Sequence, residues 1–482
     1  MESKGVFPQA RHAPDAVSGG GAAAVAIDES PADVRARETE QIMTDDERFS
    51  LIYSLMVVVF GGERDPRVPP EVPQTAGYVF GVPRLGIPPL LITDAGLGVT
   101  NPLGGRPGDT ATALPAGLCL AATFSPELAR ASGALVGREA RMRGFNVLCG
   151  GGMNLARDPR HGRNFEYFSE DPWLSAVMAA ETVLGTQGEG VISMLKHVSL
   201  NSHETNKFWL DAVIDPAAHR ESDLLAFQIA MERAQPGALM GAYNKVNGAY
   251  CCGNDPLLNG AIKGAFGFKG WVMSDWRAVY SWDFALKGLD QHSGAQLDEQ
   301  EWFVGPLREA YARGDFPKER LSDMVRRILR SIYAVGVDRW GPAPEVDMEA
   351  HNASALEVAR EGIVLLENKG ALPLPAGGQR IAVIGGWARY GVPAGGGSSL
   401  AIPPGGYAAT IPIGGNNELS VVRVMSLFPS SPLAELKRLL PEGSVHYDPG
   451  IYPAEAVALA RRSDMAIVFV VKPESEGFDS PD

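Results

Sequence analysis

The feature that most constrains this chain is an alternation: short, mainly apolar runs suited to strands, separated by segments with helical periodicity. The runs are Leu90-Leu91-Ile92-Thr93, Asn146-Val147-Leu148, Val191 to Leu195, Ala238 to Ala242 and Trp271-Val272-Met273. Between them the pattern predicts helices over Ser125 to Arg143, Asp171 to Gly185 and His219 to Ala234. Strands that are apolar throughout belong to a parallel sheet covered by helices. The class is therefore α/β, and the repeat count fits a TIM-like (β/α)8 barrel, complete or partial, better than an open sheet.

Polar residues follow these strands: Asp94, Arg157, Lys196-His197, Tyr243-Asn244 and Asp275-Trp276. A barrel gathers strand C-termini onto one face, where such enzymes build their sites. The segment Gly270 to Trp276 is the most telling of the set. It ends a strand with a carboxylate beside an indole. An indole covers the apolar face of a pyranose while the carboxylate reaches the reactive carbon, so the pair suits chemistry on a sugar.

At 482 residues the chain exceeds what one hydrophobic core usually supports, so two or more domains are expected. A formal net charge of −14 disfavours binding to nucleic acid or to an anionic membrane surface, both of which need clustered cations. The apolar runs Leu55 to Phe60 and Met465 to Val471 are too short to span a bilayer. Cys119, Cys149, Cys251 and Cys252 are too few and too scattered for a disulfide framework, and zinc is not expected. Residues 1–38 are rich in Ala, Gly, Pro and charge; they read as a disordered leader rather than a signal peptide, which leaves the cellular location open.

A catalytic barrel is expected over residues 39–338, opening with a helix capped by Thr44 and an acidic first turn. A helix over Glu319 to Val335 closes it. A linker over 339–372 holds the Pro-rich Gly341 to Glu345 and a helix over Ser354 to Glu367. A second α/β unit over 373–482 begins with the strand and glycine turn Arg380 to Gly386. It continues with a helix over Pro432 to Leu440 and a strand over Asp464 to Val471.

The glycines after Ile384 miss the dinucleotide-binding spacing, and Gly395 to Ser399 lacks the lysine of a phosphate loop; no cofactor is expected. His197, His203 and Glu204 lack metal-site spacing. The loop Asn154 to Asp171 interleaves charges of both signs with Phe165, Tyr167 and Phe168, which predicts an ordered loop with internal ion pairs and one arginine turned toward a ligand.

Taken together, these segments resemble glycoside hydrolase family 3, the β-glucosidase and exo-glycanase family, from about Thr44 onward. The most specific pieces are Arg157-Asp158-Pro159 to Asp171, Lys196-His197 with Asn201 and Glu204, Tyr243 to Gly248, and Gly270 to Trp276. The resemblance implies a (β/α)8-like barrel followed by an α/β sandwich, with the active site between them. It also implies a retaining exo-acting β-glycosidase working on a small β-glucoside or oligosaccharide, without cofactor or metal. Asp275 would be the nucleophile, and Asp94, Arg157, Lys196, His197, Tyr243 and Trp276 would hold the sugar. The acid/base residue would come from the second domain as Glu476, with Glu474 its near rival. Asp275 would be kept ionised by Lys196 and Arg157, and Glu476 would be raised by partial desolvation.

The chain departs from the family pattern at Lys207 (usually Arg), Val198 (usually aromatic), Arg277 (usually small) and Lys472-Pro473. Against the family pattern, residues 373–482 are expected to supply about half of the sandwich, without a fibronectin-like domain. Two alternatives stand beside the glucosidase: a weak or inactive sugar-binding remnant, and a β-xylosidase. An N-acetylglucosaminidase fits less well, since its His-Asp acid/base pair is not found.

Overall fold

The computed structural model describes residues 30–58, 63–374, 377–414 and 424–480. Most of the expected leader, residues 1–29, lies outside them. The five expected strands are Leu90–Asp94, Val147–Cys149, Ile192–Val198, Ala238–Gly241 and Trp271–Ser274, adjacent and parallel in that order. All but Leu91 and Asp94 are fully buried, as a two-sided cover of helices requires.

Three further staves close the sheet, and none of them stood out in the sequence. Gly77–Val79 pairs antiparallel with Leu90–Ile92, and Leu55 pairs antiparallel with Tyr78. Tyr53 bridges His292, and Gln291 bridges Met273. The ladder thus returns to its start through 53–55, 77–79, the five strands and 291–292, forming an eight-stave barrel. Its seam is locked by Gln291, whose side chain accepts from Trp271 Nε1 at 3.0 Å and donates to Leu51 O at 2.8 Å. The barrel is therefore not wholly parallel. The 77–79 stave reaches its neighbour without a crossover helix, and only a short 3-10 turn, Trp282–Ala285, separates the last two staves.

The expected helices appear as Pro126–Met142, Pro172–Gly188 and Asp223–Ala234, with Pro216–Glu221 a separate turn divided off at Ser222. Lys318–Val335 buries Leu321, Met324, Val325, Ile328, Leu329 and Ile332, one face at helical spacing. Helix Pro31–Gln41 corrects the disordered reading of residues 31–38. Ser30 and Asp33 form a capping box, and Asp33 accepts from Arg330 Nε at 2.9 Å. Its charges concealed it: Asp33 pairs with Arg330 and Arg35 lies over the Tyr333 ring of the last barrel helix, while Ala36 and Glu40 are buried. The linker helix runs over Met348–Glu361 rather than from Ser354, since Asp347 caps it by accepting from Glu349 N and Ala350 N.

The second unit centres on Ile381–Ile384, flanked in parallel by Val445–Asp448 and Met465–Val468. A small antiparallel sheet of Pro393–Ala394, Val424–Leu427 and Ala409–Pro412 extends toward the barrel. The units are joined by Thr100 Oγ1 to Ser398 O at 2.8 Å, Ala111 N to Ile402 O at 2.8 Å, and Ser399 Oγ to Glu166 at 2.8 Å.

Candidate active site

A cleft of about 1280 Å³ opens where the strand C-termini face the second unit. Asp94, Lys196, His197, Tyr243, Asp275 and Trp276 all line it, so six expected site residues from four barrel strands converge. Glu476 enters from the opposite side with Gly397 and Ser398. Glu474 does not line the cleft and pairs with Lys472 instead.

Arg157 requires a correction. Its guanidinium is bound to Asp223 and it does not line the cleft. Arg163, six residues on, occupies that place: it is 1% exposed, binds Glu166 through Nε and lies 3.4 Å from Glu476 Oε1. The sequence signal was present in Gly162-Arg163-Asn164-Phe165-Glu166, where an arginine sits three residues from a glutamate beside an aromatic. Arg157 also has an acid beside it in Asp158, so the spacing alone does not single out Arg163.

Lys207 was noted for its departure from pattern but not for its position. It is buried, donates to Glu204 Oε2 at 2.8 Å and to Glu476 Oε1 at 3.1 Å, and lies 4.5 Å above the Tyr243 ring. Glu476 therefore rests between Lys207 and Arg163 and also accepts from Ser398 N at 2.9 Å. Burial opposes its charge, but Arg163 and Lys207 outweigh burial and hold the carboxyl well below the ordinary range. This reverses the expected upward shift.

Asp275 also departs from expectation. Burial lifts its carboxyl to about 6, against the pull of Arg163 and Lys207. Oδ1 accepts from Trp276 N at 2.9 Å, while Oδ2 lies 3.6 Å from His197 Nε2 and has no hydrogen-bond partner among the described residues. His197 is anchored by Asn154 Oδ1, at 2.8 Å from its amide and 3.2 Å from Nδ1; burial, Arg163 and Lys196 keep it neutral. Asp94 is raised to about 7 by burial, partly offset by Lys196 at 3.9 Å. Lys196 is likewise 3.9 Å from Glu166, and these carboxylates overcome its own burial to keep it charged.

The Glu476 loop is pinned to the barrel from both flanks. Gly477 N donates to Glu204 Oε2 at 2.7 Å, and Asp479 accepts from Gly162, Glu204 and Thr205 amides at 2.8 to 3.1 Å. Gly162 permits this approach: a Cβ there would stand 1.8 Å from Phe478 O and 2.5 Å from Ser475 O. The cleft thus holds two carboxylates of opposite pKa tendency, ringed by donors and acceptors.

Residues 79–331 match the glycosyl hydrolase family 3 N terminal domain, and residues 363–482 match the family 3 C-terminal domain. The chain belongs to glycoside hydrolase family 3. Among curated family 3 relatives, a beta-glucosidase of Bacteroides ovatus is 37% identical over 344 residues, spanning 66% of this chain and 46% of that protein. The thermostable beta-glucosidase B of Acetivibrio thermocellus is 33% identical, spanning 83% of this chain and 52% of its own length. This chain therefore spans about half the length of the curated relatives it matches. Beta-glucosidase 3B of Thermotoga neapolitana, solved with alpha-D-glucose, superposes with a TM-score of 0.76 at 29% identity, covering 92% of this chain and 64% of that one.

Proposed function

We propose that this family 3 chain is a retaining exo-acting β-glucosidase that removes terminal glucosyl residues from small β-glucosides. The reading assigns residues 39–338 to the catalytic barrel, 339–372 to the linker and 373–482 to the sandwich unit. One observation carries it: Asp275 at a barrel strand end and Glu476 from the other unit line a single cleft already furnished with Asp94, Arg163, Lys196 and His197.

In the first step Asp275 attacks the anomeric carbon, and the bond to the leaving oxygen breaks as Glu476 gives that oxygen its proton. In the second, water adds to the same carbon, its proton passes to Glu476, and the bond to Asp275 breaks. Asp94, Lys196 and His197 offer hydrogen bonds to ring hydroxyls, which strengthen catalysis where they tighten at the transition state. Trp276 supplies an apolar face for the ring; its Nε1 is tied to Ala76 O at 3.1 Å, which fixes the indole.

The test is 4-nitrophenyl β-glucoside followed by NMR. β-Glucose as the first-formed anomer supports the reading, and α-glucose first overturns retention. Ligand binding without turnover of glucosides, xylosides or arabinopyranosides would leave the sugar-binding remnant.

The Arg163 placement gives a paired expectation. Arg163→Gln should lower kcat/KM about 10- to 100-fold, the loss of a charge-assisted contact. Arg157→Gln should change it less than about threefold while lowering stability, because Asp223 is left buried without its cation. Equal kinetic losses in the two variants would refute the assignment. Gly162→Ala should displace the Glu476 loop and reduce kcat about 10- to 100-fold with the barrel still folded. Circular dichroism and kcat measured together check this, and wild-type kcat in the variant would sink it.

A further inference from the structure

The last stave of the barrel leads into a turn that lies against Trp276, and one buried contact closes that turn. His292 Nε2 and Asp298 Oδ2 stand 2.6 Å apart, with side chains 0% and 3% exposed. Between them the chain makes a short 3-10 turn, Ala295–Leu297. Gly294, at its head, faces the indole: a Cβ there would stand 2.5 Å from Trp276 Cδ1 and 2.9 Å from Nε1. Nε1 donates to Ala76 O, so the ring is fixed by that carbonyl and by the turn. Gln296 in the same turn accepts from Met56 N at 3.2 Å and donates to Met56 O at 2.8 Å, and Met56 also lines the cleft.

The head of the turn is anchored on Ser54, which accepts from Gly294 N through Oγ at 3.1 Å and from Ala295 N through its carbonyl at 2.9 Å. The far end runs out to solvent at Glu299 and Gln300. There the His292 contact is what ties the Asp298 side chain down; its Oδ1 has no hydrogen-bond partner among the described residues. A buried polar pair is a poor stabiliser, because desolvation offsets most of the gain, and apolar groups of similar volume hold a fold as well. What such a pair supplies is direction. Two hydrogen-bonding groups meet in one geometry, where methyl groups would accept many.

We propose that His292 and Asp298 are positioning residues for the sugar site. Their contact holds the turn against Trp276, and the turn fixes the angle at which the indole meets the pyranose ring. Neither residue lines the cleft, so the pair sets affinity for the glucosyl unit without touching it. This rests on the glucosidase reading, which supplies the ligand for Trp276.

The experiment measures binding of phenyl 1-thio-β-glucoside by calorimetry, with KM and kcat on 4-nitrophenyl β-glucoside. Two variants break the contact: Asp298→Ser, too short to reach Nε2, and the double change His292→Leu with Asp298→Leu, which leaves neither partner polar. Each should bind the thioglucoside about 3- to 10-fold more weakly, the scale of one aromatic contact. KM should rise alike with kcat little changed, as for lost uniform binding. Asp298→Asn keeps a hydrogen-bonding group for Nε2 and should stay within about twofold of wild type. In a Trp276→Ala background the two breaking variants should cost less than about twofold, since no indole is left to position. Equal losses in both backgrounds, or wild-type affinity in the breaking variants, overturns the inference. If neither breaking variant folds, the pair is structural and the inference fails. The expected pattern of thioglucoside binding without hydrolysis of any glucoside overturns the glucosidase reading and leaves the pair its role. Neither binding nor hydrolysis by wild type overturns both.

Discussion

Asp275→Asn is expected to cut kcat/KM on 4-nitrophenyl β-glucoside by on the order of 10⁴-fold or more, because no glycosyl-enzyme can form without the carboxylate. The amide is isosteric and its oxygen can still accept from Trp276 N, the contact seen at 2.9 Å to Oδ1. Stability should move the other way. Burial raises the folded pKa from 3.8 to about 6, so the folded chain binds this proton more tightly than the unfolded chain. Ionisation therefore costs nothing below about pH 4, and the cost grows until it is complete above pH 6. At pH 7 it reaches at most about 3 kcal/mol, which asparagine removes. Urea unfolding should find the variant more stable at pH 7 and equal to wild type at pH 4. Retained turnover, or lower stability at neutral pH, defeats the assignment. The same shift predicts that wild-type activity falls as pH drops through about 6.

Glu476→Gln should discriminate by leaving group. Cellobiose needs a proton on its departing oxygen and should lose about 10³-fold, within the range of general acid catalysis. A 2,4-dinitrophenyl glucoside departs unaided and should keep its first step, with accumulation of the glycosyl-enzyme. In the free protein Arg163, Lys207 and the Ser398 amide hold Glu476 as an anion despite its burial. The acid role then requires proton uptake when a sugar occupies the cleft. Titration of an iminosugar in buffers of differing ionisation enthalpy should detect that uptake in wild type and not in the variant. Equal loss across leaving groups, or no uptake in wild type, counts against Glu476.

Lys207 shows why the acid/base environment was misread. The sequence suggested a lone glutamate on a separate domain, free to be desolvated. In the structure that glutamate lies between two cations contributed by barrel loops hundreds of residues upstream. Desolvation is real, yet two charges at 3.1 and 3.4 Å exceed it. Arg163 was missed for a related reason. Arg157 and Arg163 each have an acid nearby in sequence, and only packing decides which one is buried in the cleft.

The parallel core was plain in the chain because strands covered on both faces must be apolar along their whole length. The polar residues that end those strands were equally plain, since a barrel carries them to one rim without further information. Asp94, Lys196, His197, Tyr243 and Asp275 were legible on that ground alone. The staves at 53–55, 77–79 and 291–292 were not, because two or three residues carry no period, and their pairing is chosen by the curvature of the closing sheet. The protonation of Asp275 and Glu476 was beyond reach for a deeper reason. It depends on distances between charges that come from different loops and different units, and such distances exist only once the two units dock.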